Sequence, residues 1–261
     1  MRPGLLAMRV FAISLALTVA AVVALATAPA VWLDALAEAR TSGRLRLAEA
    51  EGTVWRGSGR LVWVDTGESA ESRLSLSGLA LPGRVHWQLS PLALLLGLVE
   101  ATLKVDGMSQ PVALQGDFSA LRIGNGRMDL PRLELSALGS PWNTVRPAGA
   151  AALAWNNISL GRQRFEGSIT IELRAVASAL SAVRPLGSYR IEVRGGGAKA
   201  EVTMSTIEGA LNISGSGQLG PGGMSFSAQA RAADSGDQRL QGLLGLLGPR
   251  SGDATVIRIG S

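Results

Sequence analysis

The chain has 261 residues, no cysteine, one histidine, and a formal net charge of +5 from 25 basic and 20 acidic groups. Without cysteine it can build neither a disulfide framework nor a thiolate site, and a single histidine leaves any zinc site to carboxylates. The basic residues are 23 Arg and only Lys104 and Lys199, set singly between apolar residues; this pattern of solvated strand faces argues against a nucleic-acid surface.

Val10 to Leu33 is an uncharged run of 24 residues. A helix rising ~1.5 Å per residue over that length crosses a ~30 Å hydrocarbon core with some tilt. Arg2 and Arg9 precede the run, and Asp34 and Glu38 follow it. Basic flanks stay cytoplasmic, so residues 1–9 are expected inside, 10–33 in the membrane and the rest outside the cytoplasm. Trp32 fits an interfacial aromatic at the far end. The rival reading is a cleaved signal peptide: Ala26-Thr27-Ala28 has the small-x-small form of a cleavage site, but Pro29 would follow the cut. The run also exceeds the ~7–15 residues of a usual signal core. Residues 34–50 are expected to continue the anchor as a juxtamembrane stalk, helical over Leu33–Glu49, ahead of a β-rich domain at 51–261.

Beyond the stalk, apolar and polar residues alternate. Val99, Ala101, Leu103 and Val105 share one phase, as do Ile169, Ile171 and Leu173, then Tyr189, Ile191 and Val193, then Met224, Phe226, Ala228 and Ala230. Such segments are half-buried antiparallel strands. Further strands are expected near 60–64, 70–76, 84–89, 112–118, 127–135, 150–155, 201–207, 209–214 and 254–259. Ser90-Pro91 ahead of Leu92–Leu96 has an N-cap residue and a proline at the first helical position, with Gly97 as a stop. Gln238–Leu247 reads as a second short helix ended by Gly248-Pro249. With 33 glycines and 4% aromatics, the expected architecture is an elongated, curved, groove-like antiparallel sheet with a shallow core. A soft boundary at Gly139–Pro147 divides it into two halves of one sheet.

The chemistry-bearing motifs are weak. His86 sits in the polar phase between Val85 and Trp87 as a solvated imidazole, and no Gly-x-Ser-x-Gly elbow or Walker sequence exists. Gly215-Ser-Gly217-Gln-Leu-Gly220 matches a dinucleotide fingerprint in letters, and Gly195-Gly-Gly197 nearly does. That chemistry needs a helix N-terminus directly after the loop. Alternating strands follow instead, so both read as hairpin turns. No paired carboxylates cluster, and no catalytic residue, metal or cofactor is expected.

One stretch is distinctive: Glu51-Gly52-Thr53-Val54-Trp55-Arg56-Gly57, shortly after an apolar run. Together with Trp87-Gln-Leu-Ser-Pro91-Leu-Ala-Leu-Leu-Leu-Gly97 and the closing Leu240–Gly248 before Val256–Ile259, it resembles the general secretion pathway protein N family of the type II secretion system. The resemblance implies a non-enzymatic, inner-membrane, periplasm-facing accessory part of the machine that exports folded proteins through an outer-membrane secretin. Its partners would be other secretion components, such as the secretin or inner-membrane platform proteins. The family is similar in outline to bridge-like lipid-transfer (AsmA-type) proteins, which keeps a lipid-handling groove as the alternative. The family-motif residues Gly52, Thr53, Trp55, Gly57, Trp87 and Pro91 read as either core or interface. On residue grounds the glycines allow tight turns, and Trp55, Trp63 and Trp87 are large anchors in an Ala/Gly-rich interior.

Overall fold

A computed structural model describes residues 3–64, 78–80, 83–134, 145–234 and 238–260. The amino-terminal half comprises α1 (Pro3–Ala26), α2 (Val31–Thr41), β1 (Leu45–Gly52), β2 (Arg56–Val64), β3 (Gly78–Ala80), β4 (Val85–Leu89), α3 (Pro91–Leu95), β5 (Leu98–Val105), β6 (Val112–Asp117), β7 (Ala120–Ile123) and β8 (Gly126–Glu134). There follow β9 (Pro147–Gly161), β10 (Phe165–Ser178), β11 (Gly187–Gly197), β12 (Ala200–Gly209), β13 (Leu211–Gly220), β14 (Gly223–Ala232), a 3-10 turn at Gln238–Leu240, α4 (Gln241–Leu247), β15 (Arg250–Ser251) and β16 (Ala254–Ile259).

The strands form one 16-stranded sheet in the order β1-β2-β4-β5-β6-β7-β9-β10-β11-β12-β13-β14-β16-β15, with β3 beside β2 and β8 beside β9. Every pairing is antiparallel, and nearly every strand lies next to its neighbour in sequence. The mainly β, antiparallel expectation therefore holds. The strand expected near 70–76 and residues 139–144 of the soft boundary lie outside the described residues, as does the side chain of Trp63.

Period-2 alternation becomes two chemically distinct faces. Cross-strand partners carry Trp155, Ile169, Val193, Val202, Gly217, Phe226 and Ile259 in one row, and Leu153, Ile171, Ile191, Met204, Gly215, Ala228 and Ile257 in the next. The alternate rows are polar, and Glu172 there meets Arg190 at 2.9 Å and Arg174 at 3.0 Å. Val202, Phe226 and Ala228 are buried at the centre of the apolar rows, with Ile191, Val193, Met204, Ile213 and Ile257 packed around them. At one end of this face α4 lays Leu243 and Leu244 over Leu186, Leu211 and Ala230. Helices pack chiefly on β1, β5 and β16; in the two apolar rows of β9–β12, Val202 is buried while Trp155, Ile169, Val193, Leu153, Ile171, Ile191 and Met204 are half-buried.

Three readings need correction. The helical stalk over Leu33–Glu49 is helix only to Thr41; Ser42 turns left-handed (φ 54°) and the chain enters β1 at Leu45. Leu45-Arg-Leu-Ala-Glu-Ala-Glu51 is rich in helix formers, but pairing with Leu61–Trp63 of β2 overrides that propensity. Second, Gly215 and Gly217 are not turn residues: they lie inside β13, and the turn falls after Gly220. A Cβ on Gly217 would meet Phe226 Cδ2 at 2.9 Å and the Ser225 carbonyl at 2.2 Å, so this glycine makes room for the Phe226 ring. Third, the run Val10–Leu33 is not one helix. Val10 lies in α1 and Leu33 in α2, with the chain turning at residues 27–30. The side chains of α1 are described from Ala12 on, and among the described residues no helix is long and apolar enough to cross a membrane.

The outer edge of β1 is closed by α2. Asp34 accepts from Arg46 Nε (3.1 Å) and Nη2 (2.8 Å) and from the Leu47 backbone N–H (2.7 Å). A carboxylate on the edge of a strand both satisfies a free donor and deters pairing by another chain. The Arg46 hydrogen bonds hold the Asp34 carboxyl below the usual carboxylate range, against a smaller opposing effect of burial. A lowered folded pKa means the stabilisation is present at neutral pH and is lost as pH falls through that value. We expect Asp34→Asn to lower stability by about 1–2 kcal/mol at pH 7. Denaturation across pH should show the difference from the parent shrinking below about pH 4. An equal difference at pH 7 and pH 2 would refute the assignment.

Candidate functional site: the joint between helix and sheet

The distinctive Gly52–Gly57 stretch is where α1 meets the sheet. Residues 28–30 run beside 52–54 as a short extension of the sheet: Ala30 N donates to the Gly52 carbonyl (3.1 Å), Val54 N donates to the Ala28 carbonyl (2.9 Å), and Pro29 bridges Thr53. Ala28 and Ala30 are buried at 2% and 1% exposure. The proline stops the helix, and the two alanines are small enough to sit against the strand.

Thr53 folds the next turn on itself. Its backbone N–H donates to the Arg56 carbonyl (2.9 Å), and its hydroxyl accepts from Arg56 N (3.1 Å). The turn requires a left-handed Gly52 at φ +87°. It projects Trp55 back toward α1, where the indole N–H donates to the Leu25 carbonyl at 2.8 Å. That carbonyl belongs to the last turn of α1, where it also accepts from Ala28 N just past the helix (3.2 Å). Trp55 is thus a C-terminal cap supplied from 30 residues downstream.

Trp87 supports the turn from below. It is 7% exposed, and its indole N–H donates to the carbonyls of Thr53 (3.2 Å) and Val54 (3.1 Å). Gly57, its cross-strand partner, leaves the space the ring fills: a Cβ there would lie 2.5 Å from Trp87 Cζ2 and 2.4 Å from the Glu51 carbonyl. The Trp55 carbonyl accepts from Leu89 N (2.7 Å), and Ser90 caps α3 through Ala93 N (3.3 Å), with Pro91 at its first position. All six motif residues, Gly52, Thr53, Trp55, Gly57, Trp87 and Pro91, therefore belong to one structural unit.

Sequence reasoning grouped these residues but missed what joins them. The deciding acceptors are backbone carbonyls at 25, 53 and 54, which no residue pattern marks.

An open cavity of about 500 Å³ beside the joint is lined by Trp55, Arg56, Gln88, Ser90 and Glu100 among others, Arg56 and Glu100 being its charged residues. His86 lies on the polar face, 3.6 Å from Asp106 Oδ1, with both side chains about half exposed. Asp106 is held below the usual carboxylate range chiefly by the Arg84 backbone N–H. Among the described residues no group of three or more His, Cys, Asp or Glu could hold a metal ion.

The sequence pattern of one family, described as Type II secretion system (T2SS), protein N, matches residues 43–258. The chain belongs to that family. It is accordingly a type II secretion component of the cell envelope, a role in which interaction with other secretion components is implied. No curated protein and no solved structure matches it significantly. The family match begins at residue 43, so it takes in the Gly52–Gly57 turn, Trp87 and α3 but leaves α1 and α2 outside.

Proposed function

We propose that this protein is a non-enzymatic component of the type II secretion machinery, held in the inner membrane by α1. Its sheet faces the periplasm and takes part in the export of folded proteins across the outer membrane. The observation that carries this reading is the pairing of a family-specific sheet with a helix of unsatisfied apolar surface. From Ile13 to Leu25 the large apolar side chains of α1 are between 52% and 66% exposed. Such a surface belongs in lipid. Arg2 and Arg9 before it, and Asp34 and Glu38 after it, favour a cytoplasmic amino terminus. Partner contact by strand addition would fall at the β16 side of the sheet, since Asp34 and residues 28–30 occupy the β1 side.

Alkaline phosphatase fused after Ser261 should be active in intact cells. An inactive fusion, with a cytoplasmic reporter active at the same place, would reverse the orientation. Mature protein beginning near Pro29 would replace the anchor by a cleaved leader. Deleting the gene should reduce release of type II substrates into the medium; unchanged release would remove the secretion role.

A second reading, lipid handling of the AsmA type, is favoured by one observation: apart from Val202, the apolar rows of β9–β12 are only half-buried. On that reading, purified full-length protein carries phospholipid bound to the sheet, and Ile171→Asp strips it. Loss of the gene would then alter outer-membrane permeability while leaving secretion intact.

A further inference from the structure

The most exposed leucines in the sheet domain are not scattered. Leu92, Leu95 and Leu96 are 72%, 78% and 75% exposed, and Leu98, at the start of β5, is 45% exposed. They come from α3 and the turn after it. Residues 92, 95 and 96 share one helix face, while Ala93, on the other, is buried at 7%. No charged residue occurs from Leu89 to Val99.

The position of this apolar knuckle follows from bonds already described. The Leu25 carbonyl at the end of α1 accepts from Trp55, and the Trp55 carbonyl accepts from Leu89. Pro91 begins α3 two residues later. At ~3.5 Å per residue, α3 therefore lies within roughly 20 Å of the place where α1 ends. Its backbone suits a medium without water. Ala93 N donates to Ser90 Oγ, Leu94 N to the Ser90 carbonyl (3.3 Å), Leu96 N to the Ala93 carbonyl (3.0 Å) and Gly97 N to the Leu94 carbonyl (3.0 Å). With these four donors satisfied inside the segment, fewer polar groups are stranded when it enters a bilayer interface. Trp32, 58% exposed at the start of α2, and the exposed Arg56 beside Trp55 add an interfacial aromatic and a cation at the same joint.

We infer that α3 is a second membrane foot: Leu92, Leu95 and Leu96 insert into the interface of the bilayer crossed by α1. The inference rests on the anchor reading of α1. The occupant is lipid because this uncharged apolar knuckle lies within roughly 20 Å of the end of α1, whose own apolar side chains are exposed. Two attachments fix the tilt of the sheet against the membrane, which a single helix leaves free to swivel.

The chain contains no cysteine, so single probes can be placed without background. Full-length protein carrying Leu95→Cys, Val19→Cys or Asp253→Cys, each labelled with a small fluorophore, is reconstituted into phosphatidylethanolamine–phosphatidylglycerol vesicles. Lipids bearing a nitroxide near the headgroup or deep in the acyl chain serve as quenchers. The probe at 95 should lose most of its emission to the headgroup quencher, the probe at 19 to the deep quencher, and the probe at 253 to neither. Leu92→Cys provides an independent copy of the first measurement. Quenching at 19 with none at 92 or 95 overturns the foot and leaves the anchor standing. Quenching at 95 but not at 19 removes the anchor and leaves α3 as a peripheral lipid contact. Emission at 95 that ignores both quenchers but shifts with protein concentration assigns the leucines to a second copy of the chain, and the inference fails.

Discussion

Trp87→Ala should be the most damaging single change near the joint, lowering stability by about 3–5 kcal/mol. The ring is 7% exposed and fills the space left by Gly57, and its N–H serves two carbonyls of the Gly52–Gly57 turn. Removing it opens a cavity and strips those carbonyls of a donor together. Because the turn also carries Trp55, the cap on α1 should loosen with it. Denaturant titration of the purified protein measures the loss, and protection of the Leu25–Val54 region from proteolysis measures the loosening. Trp87→Phe separates the two effects. It keeps most of the apolar contact and should cost about 1–2 kcal/mol through the missing hydrogen bonds. If alanine costs less than phenylalanine, Trp87 does not hold the joint. Trp55→Ala should behave differently: its side chain is only partly buried, so the sheet should keep its stability while α1 loses its cap.

The second large effect is expected at the opposite end of the sheet. Tyr189 is 2% exposed and donates its hydroxyl to the Leu211 carbonyl at 3.0 Å, beneath the cluster that seats α4. Burial alone pushes its phenol pKa well up, so it remains a neutral donor throughout the physiological range. Tyr189→Ala should cost about 3–5 kcal/mol, and Tyr189→Phe about 1 kcal/mol. Thermal unfolding of both variants tests this. Equal losses for the two would mean that the hydroxyl, not the ring, stabilises this end.

The legible part of the fold was the part built on alternation. β10 and β11 could be read directly, because Ile169, Ile171 and Leu173 face Val193, Ile191 and Tyr189 across a register that obeys the same phase. Ser90-Pro91 and Gly248 likewise marked their helix boundaries through local chemistry. β1 was misread because local propensity and tertiary pairing disagree there. β7, with four residues, is too short to show a period. The glycines of β13 look like punctuation in one dimension, and only the ring of Phe226 explains them in three. For the joint, the residues stood out by type and spacing, but their purpose depends on carbonyls supplied by a distant helix end. A tryptophan capping a helix 30 residues upstream leaves no trace in composition or period.

The neighbour-to-neighbour strand order has a kinetic consequence. A sheet whose strands pair mostly with the next in line asks for short loop closures, each entropically small. The first strands and the joint need only residues up to about Val105 and Asp117, and those emerge first during synthesis. Assembly can therefore proceed as a zipper from the amino-terminal end, each finished hairpin offering its edge to the next. Until β15 and β16 arrive, the growing edge belongs mostly to the newest strand, with β3 and β8 as the exceptions. A chain stalled part-way would then expose a β edge, the feature through which partly made β proteins associate wrongly.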